Sequence, residues 1–242
     1  MAGVIPAYPD ESLQGFVGAW WTAPAGTDFR RGRLVRVVIP HVDQEPYQLT
    51  PIGRDEPTEH RSATVLIEPL RLGQPRRTSK LPVAAMPTNP GELRIVSRAK
   101  VRPAVILSAP MPEVPKEMRQ GKARWQSAPT LLVAPYYGGD QDGTRGGWDP
   151  RMVDRIRRCE YPQYLWDKLP VAGATESILR LDHIQPIGRH SNACEVTSYC
   201  LSDEALGVLD EWLTWLTTGL LPSRGVLADV RNFLLGSEAP AT

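Results

Sequence analysis

SILRLDHIQPIG, residues 177–188, is the stretch on which the reading of this chain turns. Its apolar residues alternate with polar ones at the two-residue period of a strand half sunk in a core. In such a strand Arg180 and Asp182 point to one side, and Leu179, Leu181 and His183 point to the other. A cation and a carboxylate are thereby presented together. Taken alone, the pair reads most simply as a surface ion pair of little energetic weight. Its neighbours in the sequence decide whether it is more than that.

Three further apolar runs precede it: RGRLVRVVIP at 31–40, KVRPAVILS at 100–108 and TLLVAPYYGGD at 130–140. Arg31-Gly32 opens the first, Arg102-Pro103 opens the second, and the third carries Pro135 at an expected turn. Followed by Arg180-Leu181-Asp182, this ordered set resembles the MazF/PemK family of toxin ribonucleases over about half of the chain. The resemblance implies a mainly β fold, a small, strongly curved SH3-like barrel with peripheral and C-terminal helices. It also implies cleavage of single-stranded RNA by attack of the ribose 2′-hydroxyl on the neighbouring phosphate, without metal or cofactor.

That reaction needs a proton acceptor, cations for the charge growing on phosphate, and a donor for the leaving oxygen. By resemblance Asp182 is the candidate base, and Arg180 and Arg102 hold the phosphate through their forked donors. The family's Thr or Ser falls at Tyr137, a departure that would make a phenol the proton donor. Tyr136 takes that place if the register slips by one. Alternatively the two tyrosines beside Gly138-Gly139 stack on bases, or one ring packs in the core and the other is exposed. Arg31 and His41 flank the expected RNA groove. Arg151, Arg155 and Arg158 form one helix face, read as either a solvated charged face or a phosphate-contacting stripe. His183 is expected in a core or an interface, facing away from Asp182.

The remaining sequence bounds these expectations. With 28 Lys and Arg against 27 Asp and Glu, any RNA site must be a local concentration of charge. Three cysteines without metal-ligand spacing, and no signal-like or bilayer-length apolar run, point to a reducing cytoplasm and no membrane. The 24 prolines fall mostly between short apolar runs, as in a protein of many short strands. Strands are predicted over 34–39, 64–68, 93–97, 104–108, 131–134, 176–181 and 194–200. Asp149-Pro150 starts a helix running to about Cys159, with Met152, Ile156 and Cys159 on its apolar face. Ser202 caps a second helix with the stripe Leu206, Leu209, Trp212, Leu213 and Leu216, stopped by Gly219. Val226 to Leu235 forms a third, ending at Gly236.

The domain reading is an N-terminal extension at 1–28, a barrel domain at 29–219 with an insertion at about 44–97, and a helical tail at 220–242. Trp20 and Trp21 of the extension either stack on bases or pack it onto the barrel. The insertion is expected to pair with the barrel through at least one strand. The expected partners are single-stranded RNA, a cognate antitoxin protein, and a second copy docked through the Trp212 and Trp215 surface. The alternative is a catalytically degenerate MazF/PemK-like module that binds RNA or protein, in line with the tyrosine at position 137.

Overall fold

A computed structural model describes residues 6–73, 83–87, 91–123, 126–140, 147–173, 175–190 and 192–236. In chain order the elements are β1 (Trp21–Thr22), β2 (Arg33–Pro40), β3 (Tyr47–Gly53), β4 (Thr64–Pro69), β5 (Arg94–Val96), β6 (Ala99–Ile106) and β7 (Leu131–Gly138), followed by α1 (Pro150–Arg157), β8 (Tyr164–Asp167), β9 (Ser177–Arg180), β10 (Gln185–Ile187), β11 (Cys194–Leu201), α2 (Asp203–Thr218) and α3 (Val226–Gly236). The protein is mainly β, as its punctuated apolar runs predict. Among the described residues no helix is long and apolar enough to cross a membrane.

The chain divides into two units, 39–100 and the remainder. In the smaller unit β3 pairs antiparallel with β4 on one edge and β5 on the other. These strands pair with one another and not with the larger sheet, which corrects the expected pairing of the insertion with the barrel. Strands close in sequence pair at a low loop-closure cost, and alternating apolar residues do not specify which sheet receives them.

In the larger unit the sheet order is β1-β11-β2-β6-β7-β9-β8, with β10 also paired to β7. The termini of the helices follow the predicted chemistry. Asp149 accepts from the Arg151 backbone N–H with Pro150 in the first turn, and Ser202 accepts from Ala205 N–H. Gly219 closes α2 in the left-handed region at φ 73°. The buried face of α2 is Ala205, Val208, Leu209, Trp212 and Trp215, so the predicted stripe is rotated, with Leu206, Leu213 and Leu216 only partly buried. α1 buries Val153 and Ile156. Trp212 and Trp215 are 1% and 8% exposed, so the ring pair read as spare surface is taken up inside the chain.

The N-terminal segment is built into this core. β1 pairs with β11, and Trp20 and Trp21 are buried, which answers their alternative use in base stacking. Both indoles donate to one carboxylate: Trp20 Nε1 to Asp167 Oδ2 at 3.2 Å and Trp21 Nε1 to Oδ1 at 3.4 Å. Tyr8 Oη adds a bond to Oδ1 at 2.6 Å, and Tyr136 Oη one to Oδ2 at 2.9 Å. Asp167 is fully buried, and burial pushes its carboxyl up to about 6 even against the four donors.

The strand β7 organises the rest. Its second half pairs with β9, Tyr136 opposite Leu179 and Tyr137 opposite Ile178, and its first half pairs with β10, Val133 opposite Gln185. Between these ladders the five residues 180–184 stand opposite only 134 and 135. The excess is taken up by a 3-10 turn over Leu181–His183. Pro135 lies at the break, inside the strand and not in a terminal turn as expected. Having no N–H, proline is tolerated in a sheet where the ladder is interrupted.

Candidate functional site

That interruption creates the site. Arg180 is the last residue of β9, and the 3-10 turn ends the two-residue alternation just after it. Asp182 and His183 therefore both come round to Arg180, and the expectation that His183 faces away from Asp182 fails because the residues after 180 are not extended. Arg180 Nε donates to Asp182 Oδ1 at 2.7 Å and Nη2 donates to Oδ2 at 2.6 Å, a forked charge-assisted pair. Nη2 also lies 2.7 Å from His183 Nε2. A guanidinium only donates, so Nε2 is an acceptor here and the imidazole is neutral with its proton on Nδ1. That proton is directed at Tyr137 Oη, 2.9 Å away. The phenol then keeps its own hydrogen for another acceptor.

Tyr137 is also held by Arg102 of β6, whose guanidinium carbon sits 3.8 Å from the ring centroid. The Arg102 Nε is buried without a hydrogen-bond partner. Burial lowers the proton affinity of this guanidinium, which the nearby phenol partly offsets; it remains a cation. Arg180 lies 5.6 Å from the Tyr137 centroid and 5.0 Å from that of Tyr164, its cross-strand neighbour on β8. Residues from β6, β7, β9 and the 3-10 turn thus converge on one phenol.

The charges are set by these neighbours. For Asp182 burial raises the carboxyl, but the hydrogen bonds and charge of Arg180 outweigh it and hold it below the usual carboxylate range. Arg180 is raised by the same hydrogen bonds. At neutral pH the pair is ionised, and Arg180 Nη1 is its remaining donor.

The other predicted residues lie elsewhere. Tyr136 is 2% exposed and bound to Asp167, so it packs the core and cannot stack on a base; its neighbour Tyr137 is the half-buried ring. This is the outcome in which one tyrosine packs and the other faces out, as successive residues of a strand must. Arg31 donates through Nε to Leu107 O at 3.0 Å and pairs with Asp210 of α2, tying the loop before β2 to that helix. The adjoining Gly32 has φ 81°, and a Cβ there would meet Leu206 Cδ2 at 3.1 Å. Arg151, Arg155 and Arg158 are engaged by Asp149, Glu160 and Asp154. Each lies beside an acidic neighbour of its own helix region, the arrangement of a solvated charged face. His41 belongs to the 39–100 unit, where its N–H donates to Arg98 O.

Arg102 and Tyr137 also line a cleft of about 540 Å³. Its walls include Arg36 of β2, Glu195 and Thr197 of β11, and Leu169 and Val171 from the segment after β8. Sequence reasoning missed His183 as a partner of the cluster and missed this cleft. Among the described residues no group of three or more His, Cys, Asp or Glu is placed to hold a metal ion. Comparisons of the chain with protein families, with curated proteins and with solved structures find no match.

Proposed function

We propose that this protein is an endoribonuclease acting on single-stranded RNA, built on a MazF/PemK-like barrel, in which Arg102, Tyr137, Arg180, Asp182 and His183 form the catalytic cluster. The observation that carries the reading is the convergence of Arg102, Tyr137 and Arg180 with Asp182. These four come from the motifs of the resemblance, and residues spread over 80 positions of sequence meet at one phenol: both arginines lie against the Tyr137 ring, and Asp182 joins them through its pair with Arg180.

The geometry supports a division of labour. Arg102, which has no carboxylate partner among the described residues, and the open Nη1 of Arg180 hold the scissile phosphate and stabilise the charge that grows on its oxygens. Tyr137 donates its phenolic hydrogen to the leaving 5′-oxygen, and the Nδ1–H of His183 orients that phenol. Asp182, held below the normal carboxylate range, is a weak base. It keeps Arg180 charged and aimed, and the neutral Nε2 of His183 accepts the 2′-hydroxyl proton when phosphate draws Arg180 away. The test is incubation with a mixed pool of single-stranded RNA, with and without chelator, followed by analysis of product ends. New 5′-hydroxyl ends with 2′,3′-cyclic or 3′-phosphate partners are expected in both arms. An intact pool after prolonged incubation defeats the reading.

A second reading is a module that binds RNA or protein without cutting. It is favoured by the forked Arg180–Asp182 pair, which occupies both candidate catalytic groups with each other. Binding of the same RNA pool without strand scission would select it.

A further inference from the structure

The wall of the cleft away from Tyr137 carries an unusual juxtaposition. Arg36 of β2 and Glu195 of β11 are directly opposite across an antiparallel pair, so their side chains leave the sheet on the same face. Opposite charges so placed ordinarily pair, yet neither side chain makes an ion pair or a hydrogen bond with any described residue. Both line the cleft that Arg102 and Tyr137 also line. A donor fork and an acceptor fork therefore stand side by side. An unpaired cation occupies another part of the same cavity, Leu169 and Val171 supply apolar wall, and the volume of about 540 Å³ is that of an ordinary small-ligand pocket.

We infer that this cleft is a guanine nucleotide subsite, in which Glu195 accepts from the N1–H and N2 amino group of the base, Arg36 donates to its O6, and Arg102 receives the adjoining phosphate. The inference rests on the RNA-cleavage reading only for the position of that phosphate. Guanine is the base that fits because one edge offers an acceptor followed by two donors. A carboxylate can take both donors while the neighbouring guanidinium takes the acceptor. Adenine offers only one donor group on that edge, and uracil offers one N–H between two acceptors. Each would leave an oxygen of Glu195 facing an acceptor or nothing, and a site built for hydrogen bonds rejects a ligand that leaves them unmade. The flat ring would lie along Val171 and Leu169, and its sugar would point toward the cluster around Tyr137.

Isothermal titration with guanosine, inosine and adenosine 3′-monophosphates, on the full chain, tests this without requiring turnover. Guanosine 3′-monophosphate is expected to bind at least tenfold tighter than the adenosine analogue. The inosine analogue, which lacks the 2-amino group, should fall between. Glu195→Ala should abolish the preference. Both positions 36 and 195 are exposed at the surface of the sheet, so a circular dichroism spectrum matching wild type is expected for Arg36→Gln and Glu195→Ala. Equal binding of the three nucleotides, no binding of any, or a preference that survives Glu195→Ala overturns the guanine site. If RNA is still cut in that case, the ribonuclease reading stands without it. A guanine preference in a protein that cuts no RNA keeps the site and removes the enzyme.

Discussion

Two aspartates of this chain are each surrounded by hydrogen-bond donors, and they end in opposite conditions. Asp167 is fully buried and receives four bonds, all from neutral groups: Tyr8, Trp20, Trp21 and Tyr136. Asp182 is about one-third exposed at its side chain and receives a guanidinium fork. In the first, burial dominates and the carboxyl is pushed up to about 6. In the second, the charge of Arg180 dominates and the carboxyl is held low. Hydrogen bonds of similar length thus do not set the charge of a carboxylate by themselves; a countercharge does, when water is removed. The two clusters divide one dipeptide between them: Tyr136 serves the buried aspartate, and Tyr137 stands over the exposed pair.

The comparison can be broken most directly at Asp167. Replacing it by Ala strands three buried donors, the Tyr136 hydroxyl and the two indoles, while Tyr8 keeps its bond to Lys168 O. A loss on the order of 3–5 kcal/mol in urea unfolding is expected, with release of the Tyr8 segment. A loss below about 1 kcal/mol would show that the cluster is not a structural anchor.

The pH dependence sharpens the contrast, because the two carboxylates contribute with opposite sign. The folded pKa of Asp167, about 6, lies above that of an unfolded aspartate, so its contribution is most favourable below about pH 4 and is lost as pH rises through 6. A route for the proton exists, since Tyr8 Oη also lies 2.9 Å from Lys168 O and can donate there while accepting from a protonated Asp167. Asp167→Asn should flatten this slope in unfolding measured from pH 4 to 7. Asp182 behaves in reverse: its contribution is present above the unfolded aspartate value and is lost as pH falls through its depressed folded value, with a small amplitude because the pair is solvent-screened.

Removing one hydroxyl at a time separates the neighbours. Tyr137→Phe should reduce RNA cleavage about a hundredfold, equivalent to roughly 2.7 kcal/mol of transition-state stabilisation, with nearly unchanged stability. Tyr136→Phe should cost about 1–2 kcal/mol of stability by leaving Asp167 one donor short, with cleavage per folded molecule unchanged. A reversal of the two phenotypes would invalidate the assignment of the rings. The smallest stability effect is expected at the exposed pair itself: Asp182→Ala or Arg180→Ala should change unfolding free energy by under about 1 kcal/mol. Either change should abolish cleavage if the cluster is catalytic.

How much of this was legible beforehand depends on the range of the interaction. The helix starts at Asp149-Pro150 and Ser202 and the stop at Gly219 were readable because a cap is a contact between residues a few positions apart. The strands at 33–40, 64–69, 94–96 and 194–201 are readable from alternation, whereas β1, β3, β8 and β10 are not. β3 holds Pro51, a residue that weakens a strand reading, and β8 is only four residues long. The nearness of Arg180 to Asp182 was anticipated, but on the premise of an uninterrupted strand.

The sequence by itself determined the mainly β character, the helix boundaries, and the placement of Arg180 beside Asp182 within one short stretch, since all of these follow from spacing along the chain. Only the tertiary structure decided that five residues must stand opposite two across β7, which turned Leu181–His183 into a 3-10 turn and swung His183 onto Arg180 and Tyr137. It alone also sent Tyr136 to Asp167, placed Arg102 over Tyr137, and set Arg36 opposite Glu195. The physical reason is that register and burial are properties of pairs of strands, and the partner of a strand is chosen by contacts far away in the chain that no local pattern records.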